Sequence, residues 1–300
     1  ASLAVAGHAT IVDAVRAYLA RSGGVKPVRA ALAIALPVHG DRLRMTNHHW
    51  DFSIAETREA LGLESLKVIN DYAALALALS RLSDSDCTQL GSGTGLPGYP
   101  RAVLGPGTGL GVSGVIDGGD RWLPLESEGG HVSYGPLTAR EQRVIEILHE
   151  TLDHVSAEAL LSGRGLASIH AALSRLAGAT ERLAPEQISR LALERESPIA
   201  VEALSMFCEI LGTVAGNLAL TLGARGGVYL GGGIAPQIRT FLQRSNFRER
   251  FEDHGRFAAY LREIPTYLID TEYAALAGAA LALGVAYDDL GVCSRATGAA

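Results

Sequence analysis

An amide and a carboxylate side chain stand next to each other after an apolar run in the first third of the chain. Asn70 and Asp71 follow residues 66–69, whose composition predicts a short strand. Open α/β sheets bind ligands at the carboxyl ends of their strands. There, Asp71 could accept the proton of a substrate hydroxyl while Asn70 hydrogen-bonds a neighbouring hydroxyl. The alternative, which spacing alone favours, is that Asp71 is the N-cap of the next helix.

A second acid is separated from a histidine by two glycines. Glu128 and His131 flank Gly129 and Gly130, a spacing typical of a tight turn that presents both side chains to one pocket. Such a pair of acceptor and donor suits the vicinal hydroxyls of a sugar. A metal site would need a third ligand nearby, and a polar surface turn is the remaining alternative. Glu158 is isolated in its segment and is, on its own, typical of a solvated helix residue.

Two glycine-rich segments each follow an apolar run. Four glycines at alternate positions from 105 to 111 could bring backbone N–H groups against a phosphate, with Thr108 adding a hydroxyl donor. The alternative is a glycine-rich hairpin that only reverses the chain, and the spacing matches neither a dinucleotide-binding nor a Walker motif. Gly231–Gly233 could let a base or a ribose approach the backbone, or could form a loose turn.

The elements that must position these residues alternate between strands and helices, which predicts an α/β fold. Ser53 followed by Glu56 predicts a capping box, and Gly62 the end of the same helix. The polar segment 83–99 is expected to be a hinge or a domain edge. Strands are predicted at 28–36, 43–46, 66–69, 102–104, after 112, at 122, at 228–230 and at 265–269. Helices are predicted at 11–19, 54–61, 72–82, 139–149, 156–161, 165–177, 185–195, 199–221, 236–250 and 274–283.

Composition narrows the class of protein. The chain has 300 residues, 48% of them hydrophobic, and a formal net charge of −6, which gives no reason to expect a nucleic-acid or membrane partner. Three widely spaced cysteines suit a reducing compartment, so a cytoplasmic location is expected. No metal-binding residues are predicted, since His149 and His154 are five positions apart and point to different faces of a helix.

Eight segments resemble, in their order along the chain, the bacterial-type glucokinase family of the actin/hexokinase/Hsp70 superfamily. Each segment alone is modest evidence, but the ordered series is highly specific and spans most of residues 10–285. The segments are MTNHHW (45–50), VINDY (68–72), LGPGTGLG (104–111), EGGHV (128–132), HVSAE (154–158), LSG (161–163), GGVYLGGGI (226–234) and FEDHGRF (251–257).

The resemblance implies a two-lobed, actin-like ATPase fold, related to ribonuclease H, with a cleft between a small and a large α/β lobe. The small lobe would take residues 1–82 with 272–300, and the large lobe residues 83–271. Family members are often dimers, so a homodimer is expected. The family's first phosphate loop, Asp-x-Gly-Gly-Thr-x-x-Arg, does not occur in the sequence, and we expect it to precede Ala1.

The resemblance also implies ATP-dependent phosphorylation of the 6-hydroxyl of D-glucose, which yields glucose 6-phosphate for glycolysis. Asp71 would be the general base, a role that can coexist with a capping contact, and Mg²⁺ would bridge the ATP phosphates. The residues implied to contact the sugar are Thr46, Asn47, Asn70, Asp71, Glu128, His131 and Glu158. Those implied to bind ATP are Gly107, Thr108 and Gly109, as a phosphate loop, and Gly231, Gly232 and Gly233, beside adenosine.

Two other functions stay open at this point. One is a catalytically silent sugar-binding or regulatory protein, and the other is a kinase for a different hexose. The sequence carries neither the cysteine-rich zinc motif of the related repressor and kinase family nor an added helix-turn-helix, which disfavours a sugar-responsive repressor.

Overall fold

The computed structural model describes residues 2–45 and 48–284, and the chain divides into two compact units. Unit 1 consists of Ala1–Arg81 with Glu272–Ala300, and unit 2 of Leu82–Thr271. The strands of the described residues are β1 (Arg29–Ile34), β2 (Arg42–Arg44), β3 (Asp51–Ser53), β4 (Ser65–Asn70), β5 (Cys87–Leu90), β6 (Arg101–Pro106), β7 (Leu110–Asp117), β8 (Trp122–Leu125), β9 (Val228–Leu230) and β10 (Thr266–Ile269).

Helices alternate with these strands, as the sequence predicts. The α-helices of the described residues are α1 (Ile11–Arg21), α2 (Ile54–Ala60), α3 (Asp71–Ala78), α4 (Ala139–Leu148), α5 (Ala157–Leu160), α6 (Gly163–Leu176), α7 (Pro185–Leu193), α8 (Pro198–Leu222), α9 (Ile234–Gln237), α10 (Arg239–Leu242), α11 (Phe247–Glu252), α12 (Ala258–Arg262) and α13 (Ala274–Leu281). Single 3₁₀ turns lie at Val5–Gly7, Asp84–Asp86, Gly129–His131 and Gly255–Phe257.

Unit 1 is built on a parallel pair of strands. β1 pairs with β4 from Arg29 opposite Ser65 to Ile34 opposite Asn70. The helix α3 begins directly after β4, and its small and apolar side chains are buried, as the alanine- and leucine-rich sequence predicts. α3 packs against α13 of the same unit. The carboxyl end of β4 therefore places Asn70 and Asp71 at the start of a helix that the core of the unit holds in position.

Unit 2 is built on a six-stranded mixed sheet with the order β5-β10-β9-β6-β7-β8. The three central strands, β10, β9 and β6, are parallel, so their carboxyl ends lie at one edge of the sheet. The long helix α8 supplies much of the core beside this sheet. By length and composition α8 could cross a membrane, but 72% of its apolar window is buried within the structure, as in a core helix.

Several elements differ from the sequence predictions of local structure. Segment 83–99 begins next to the boundary between the two units, as a domain edge would, but it also contains a 3₁₀ turn and the strand β5, which was not predicted and which completes the sheet of unit 2 as an antiparallel edge. The helix predicted at 236–250 is three short helices, α9, α10 and α11. β3 was not predicted, although it pairs with β2. Short edge strands bury few side chains, so their apolar alternation is too brief to predict them.

The capping box predicted at Ser53 is only half formed. The Ser53 hydroxyl accepts the Glu56 N–H, but it donates its own proton to the Asp41 carboxylate. The Ala55 N–H, in the first turn, donates to the Asp41 carboxylate as well. Asp41 therefore caps α2 together with Ser53.

Candidate active site

Asn70, and not Asp71, is the N-cap of α3. The Asn70 Oδ1 atom accepts hydrogen bonds from the N–H groups of Tyr72 at 2.9 Å and Ala73 at 3.1 Å. Asp71 is the first residue of the helix, and its Oδ1 atom accepts the N–H of Tyr72 at 2.9 Å. The capping alternative for Asp71 is therefore wrong. Because its neighbour does the capping, the Asp71 carboxylate can interact with other groups.

The environment of Asp71 favours its neutral form. Burial raises the pKa of this carboxyl above its ordinary value of 3.8, against the lowering effect of the N–H groups of Tyr72 and of Asp71 itself. No ion pair involves Asp71 among the residues that the structure describes. A carboxylate with a raised pKa is a stronger base, and a half-buried position is accessible to a substrate. Thr46 and Asn47, the other sugar contacts predicted for this part of the chain, lie outside the described residues.

In unit 2 the first glycine-rich segment is the turn of the β6–β7 hairpin. Pro106 and Leu110 form the last pair of the ladder, and the Gly107 N–H donates to the Gly109 carbonyl at 2.8 Å. The hairpin alternative therefore describes the geometry correctly, although it does not exclude a contact with phosphate. Thr108 lies exposed at the tip.

The second glycine-rich segment lies beside this hairpin. β9 runs parallel to β6, and the Gly231 N–H donates to the Leu104 carbonyl at 2.9 Å. A Cβ on Gly107 would lie 3.9 Å from the Gly233 nitrogen. Gly232 has φ +77°, a left-handed conformation that favours glycine. The fold thus brings the predicted phosphate and adenosine segments together at the carboxyl ends of neighbouring parallel strands, where α/β sheets bind ligands.

Glu128 and His131 are also neighbours in space. Glu128 precedes the 3₁₀ turn Gly129–His131 and His131 is its last residue, with Glu128 Oε2 4.0 Å from His131 Nε2. Both side chains are more than half exposed, at 55% and 60%. A Cβ on Gly130 would overlap the Leu110 carbonyl oxygen, so glycine allows this turn to lie against the start of β7.

Glu158 is held by the same strand. It lies in the first turn of α5, after the N-cap Ser156, and its Oε2 atom accepts the Leu110 N–H at 2.9 Å. A Cβ on Gly109 would overlap this carboxylate. The interpretation of Glu158 as a solvated helix residue is therefore wrong. Leu110 connects the predicted sugar-binding segments of unit 2, because its N–H bonds to Glu158 while its carbonyl group touches Gly130.

Similarity to known proteins identifies the family of this chain. The family model for glucokinase matches residues 1–285. The chain is 52% identical over 278 residues to a glucokinase of Aromatoleum aromaticum, which covers 92% of this chain and 84% of that protein. The chain belongs to the glucokinase family.

Solved structures agree with this membership. A crystal structure of glucokinase from an Antarctic psychrotroph matches with a TM-score of 0.85 and 36% identity, over 93% of this chain and 87% of that one. A glucokinase from Balamuthia mandrillaris in complex with glucose matches with a TM-score of 0.75 and 24% identity, over 91% and 82% of the two chains. The resemblance read from the sequence is confirmed, as is the actin-like ATPase fold of the glucokinases.

One acid of this glucokinase-family chain was missed by sequence reasoning. Asp270 follows β10, at the carboxyl end of the third parallel strand. It accepts a hydrogen bond from the Thr88 hydroxyl at 2.6 Å and forms an ion pair with Arg239, the first residue of α10. It thereby anchors the helices that follow Gly233. The signal that could have found it is the one used for Asp71, an acid directly after an apolar strand.

Among the residues that the structure describes, no group of three or more His, Cys, Asp or Glu side chains is arranged to hold a metal ion. A Mg²⁺ ion prefers carboxylate and phosphate oxygens and keeps several of its waters. Mg²⁺ stays a prediction that rests on the family resemblance.

Proposed function

We propose that this glucokinase-family protein transfers the γ-phosphoryl group of ATP, bound as its Mg²⁺ complex, to the 6-hydroxyl of D-glucose. The observation that carries the proposal is the position and environment of Asp71. It lies at the carboxyl end of β4, its capping task is done by Asn70, and burial raises its pKa. Family membership supports the choice of glucose and ATP over other pairs of substrates.

Asp71 is the general base. As the phosphoryl group reaches the sugar, the 6-hydroxyl loses its proton, and a half-buried carboxylate within hydrogen-bonding reach accepts it. A raised pKa suits this role, because it strengthens the carboxylate as a base. Asn70 fixes the backbone that presents the Asp71 carboxylate, and a side-chain amide N–H of Asn70 donates to the sugar. Thr46 and Asn47 contact the sugar as well.

The sugar hydroxyls are bound by Glu128, His131 and Glu158. Glu128 and His131 are 4.0 Å apart, a separation that lets one accept from and the other donate to adjacent hydroxyls. Glu158 already accepts one backbone N–H and has a second carboxylate oxygen for a sugar hydroxyl. An ionised acceptor forms stronger hydrogen bonds than a neutral one, which favours a polyhydroxy substrate.

The phosphates of ATP meet the β6–β7 hairpin. Gly107 and Gly109 leave the backbone accessible, and the exposed Thr108 offers its hydroxyl group. Gly231, Gly232 and Gly233 lie beside the hairpin and leave room for adenosine. These residues align the nucleotide, and alignment contributes most of the catalysis in phosphoryl transfer. A homodimer and a cytoplasmic location stay predictions of the sequence.

A coupled assay on the protein with its natural N-terminus tests the proposal. ATP is supplied with glucose, mannose or N-acetylglucosamine, and the ADP formed is followed continuously. We expect glucose to give the highest kcat/KM. A higher kcat/KM with another sugar would make the protein a kinase for that sugar, and glucose binding without turnover would make it a silent sugar-binding protein; either result contradicts the proposal.

A further inference from the structure

Unit 2 contains a cavity of about 520 Å³ that lies apart from the proposed active site. Its walls are the end of α7, the first half of α8, and α10 with the loop that follows it. None of the residues assigned above to sugar, phosphate or adenosine lines it. Its volume is within the range of small-molecule sites, which is about 300–1,000 Å³.

Two arginines at this cavity have no partner in the part of the chain that the structure describes. Arg195 and Arg244 line it and are exposed. The carboxylates on either side of Arg195 in the sequence, Glu194 and Glu196, both pair with Arg190, at 2.5 and 3.1 Å. Within the described ranges, no ion pair or side-chain hydrogen bond involves the guanidinium group of Arg195 or Arg244.

The backbone of Arg195 is in an unusual conformation. Arg195 follows the C-cap of α7 with φ 57°, and it is the one residue other than glycine with a positive φ in the described part of the chain. Glycine is the usual residue at this helix position, and any other costs free energy there. Strained residues of this kind cluster at ligand sites. Because glycine would adopt this backbone conformation at a lower cost, we infer that the arginine side chain has a role of its own.

The one acid in the wall does not neutralise the arginines. Glu209 lines the cavity, but its carboxylate accepts a hydrogen bond from Asn246 at 2.9 Å and lies 3.7 Å from Arg250. The cavity therefore keeps an excess of positive charge. The hydroxyl groups of Ser205 and Thr240 also line it, beside apolar side chains.

We propose that this cavity binds a sugar phosphate as a second ligand. Two guanidinium groups match a phosphate monoester, which arginine binds through paired charge-assisted hydrogen bonds. The hydroxyl groups of the wall match the hydroxyls of the sugar, and the apolar side chains match the face of its ring. This binding site is separate from the proposed active site, and binding of the ligand there needs neither ATP nor catalysis.

Titration calorimetry without ATP tests this proposal, with glucose 6-phosphate, AMP and inorganic phosphate as separate probes. We expect glucose 6-phosphate to bind more tightly than either of the others. In the double variant Arg195→Gly with Arg244→Gln, its Kd should rise about tenfold or more, because the charge-assisted contacts are lost. The single variant Arg195→Gly should unfold at no lower temperature than the natural protein, since glycine suits its backbone.

Two controls separate this site from the proposed active site. Arg175→Gln removes one positive charge, half the change of the double variant, from an exposed arginine of unit 2 that does not line the cavity, so the Kd should not change. Glu158→Gln alters the proposed sugar site, where glucose 6-phosphate would also bind as the reaction product, so it should change at most a separate binding event and leave the Kd of the arginine site unchanged. The proposal is overturned if the natural protein does not bind glucose 6-phosphate at millimolar concentration, if AMP binds more tightly, or if Glu158→Gln weakens binding while the arginine double variant does not. Kinase activity is not part of these measurements, so the proposed function can fail without affecting them.

Discussion

Asp71 of unit 1 and Glu158 of unit 2 occupy similar local positions. Each lies in the first turn of a helix, directly or closely behind a polar N-cap, Asn70 in one case and Ser156 in the other. In both helices the cap residue accepts N–H groups of the first turn, those of Tyr72 and Ala73 in α3 and that of Ala159 in α5. A carboxylate near a helix N-terminus is also favoured by the helix dipole.

The two acids differ in what they bond. Within residues 2–45 and 48–284, the Asp71 carboxylate accepts N–H groups of its own turn, and burial raises its pKa. Glu158 accepts the N–H of Leu110, which is 48 residues away in the sequence. An acid that must take up a proton gains from having no strong partner, whereas an acid that positions a substrate gains from being fixed. The same local structure thus supports two different tasks, and the distant contacts decide which.

Replacing Asp71 by Asn should have the largest effect. The isosteric amide keeps the hydrogen bond from Tyr72 but cannot accept a proton, so we expect kcat to fall about 10²- to 10⁴-fold with glucose binding retained. A coupled assay and glucose titration measure the two quantities. Glu59→Gln, at an exposed acid of the same unit, is the control. Retained turnover in Asp71→Asn would remove this residue from the mechanism.

The pH dependence of the same residue sharpens this test. The folded-state pKa of Asp71 is raised, so its stabilising contribution is complete below 3.8 and is lost as the pH rises through the folded-state value. At neutral pH, Asp71→Asn should therefore not lower the free energy of unfolding. The kcat/KM of the natural protein should fall toward acid pH with a midpoint above 3.8, and the variant should lack this dependence. A lower stability of the variant at neutral pH would contradict the raised pKa.

Glu158→Gln should affect binding more than chemistry. The amide oxygen can still accept the Leu110 N–H, but the charge is lost, and hydrogen bonds to charged groups contribute about 1.5–3 kcal/mol. We expect the KM for glucose to rise about tenfold to a hundredfold with kcat much less affected. Glu186→Gln, in the first turn of α7 and exposed, is the matched control. If kcat fell and KM stayed constant, the contrast with Asp71 would be wrong.

A methyl group added at Gly109, in the β6–β7 hairpin, should displace the Glu158 side chain. In Gly109→Ala the new Cβ overlaps the Glu158 carboxylate, so we expect the KM for glucose to rise, but by less than in Glu158→Gln. In Gly107→Ala the new Cβ has no atom closer than 3.9 Å, and the expected change is in the KM for ATP. Steady-state kinetics in both substrates measure this pair. Equal effects of the two variants on glucose would show that Glu158 is not held as described.

The loss of the Asn70 cap should have the smallest effect. Asn70→Ala removes the acceptor of the Tyr72 and Ala73 N–H groups, which should cost about 1 kcal/mol of stability. Asn70→Ser keeps a capping oxygen and should retain most of that stability. Urea unfolding measures both variants. Equal stabilities for Ala and Ser would mean that the cap does not hold α3.

Much of the local structure could be predicted from the sequence, and the exceptions are instructive. The strand before Asn70 and the glycine segments at 107 and 231 were found because apolar runs, turn residues and glycines act within a few positions. Spacing alone favoured a cap for Asp71, because spacing cannot tell which of two adjacent polar residues will bond the helix N–H groups, and only the resemblance implied the general base. β5 and Asp270 were missed, since an edge strand and an acid at a strand end carry weak local signals.

The sequence by itself determined the order of strands and helices, the family, and the residue types available for chemistry, since each depends on short-range patterns in the chain. Only the folded chain settled that β9 lies beside β6 and that Leu110 touches both Gly130 and Glu158. The reason is that these contacts join segments far apart in the chain, and their energies come from packing that exists only once the sheet of unit 2 has formed.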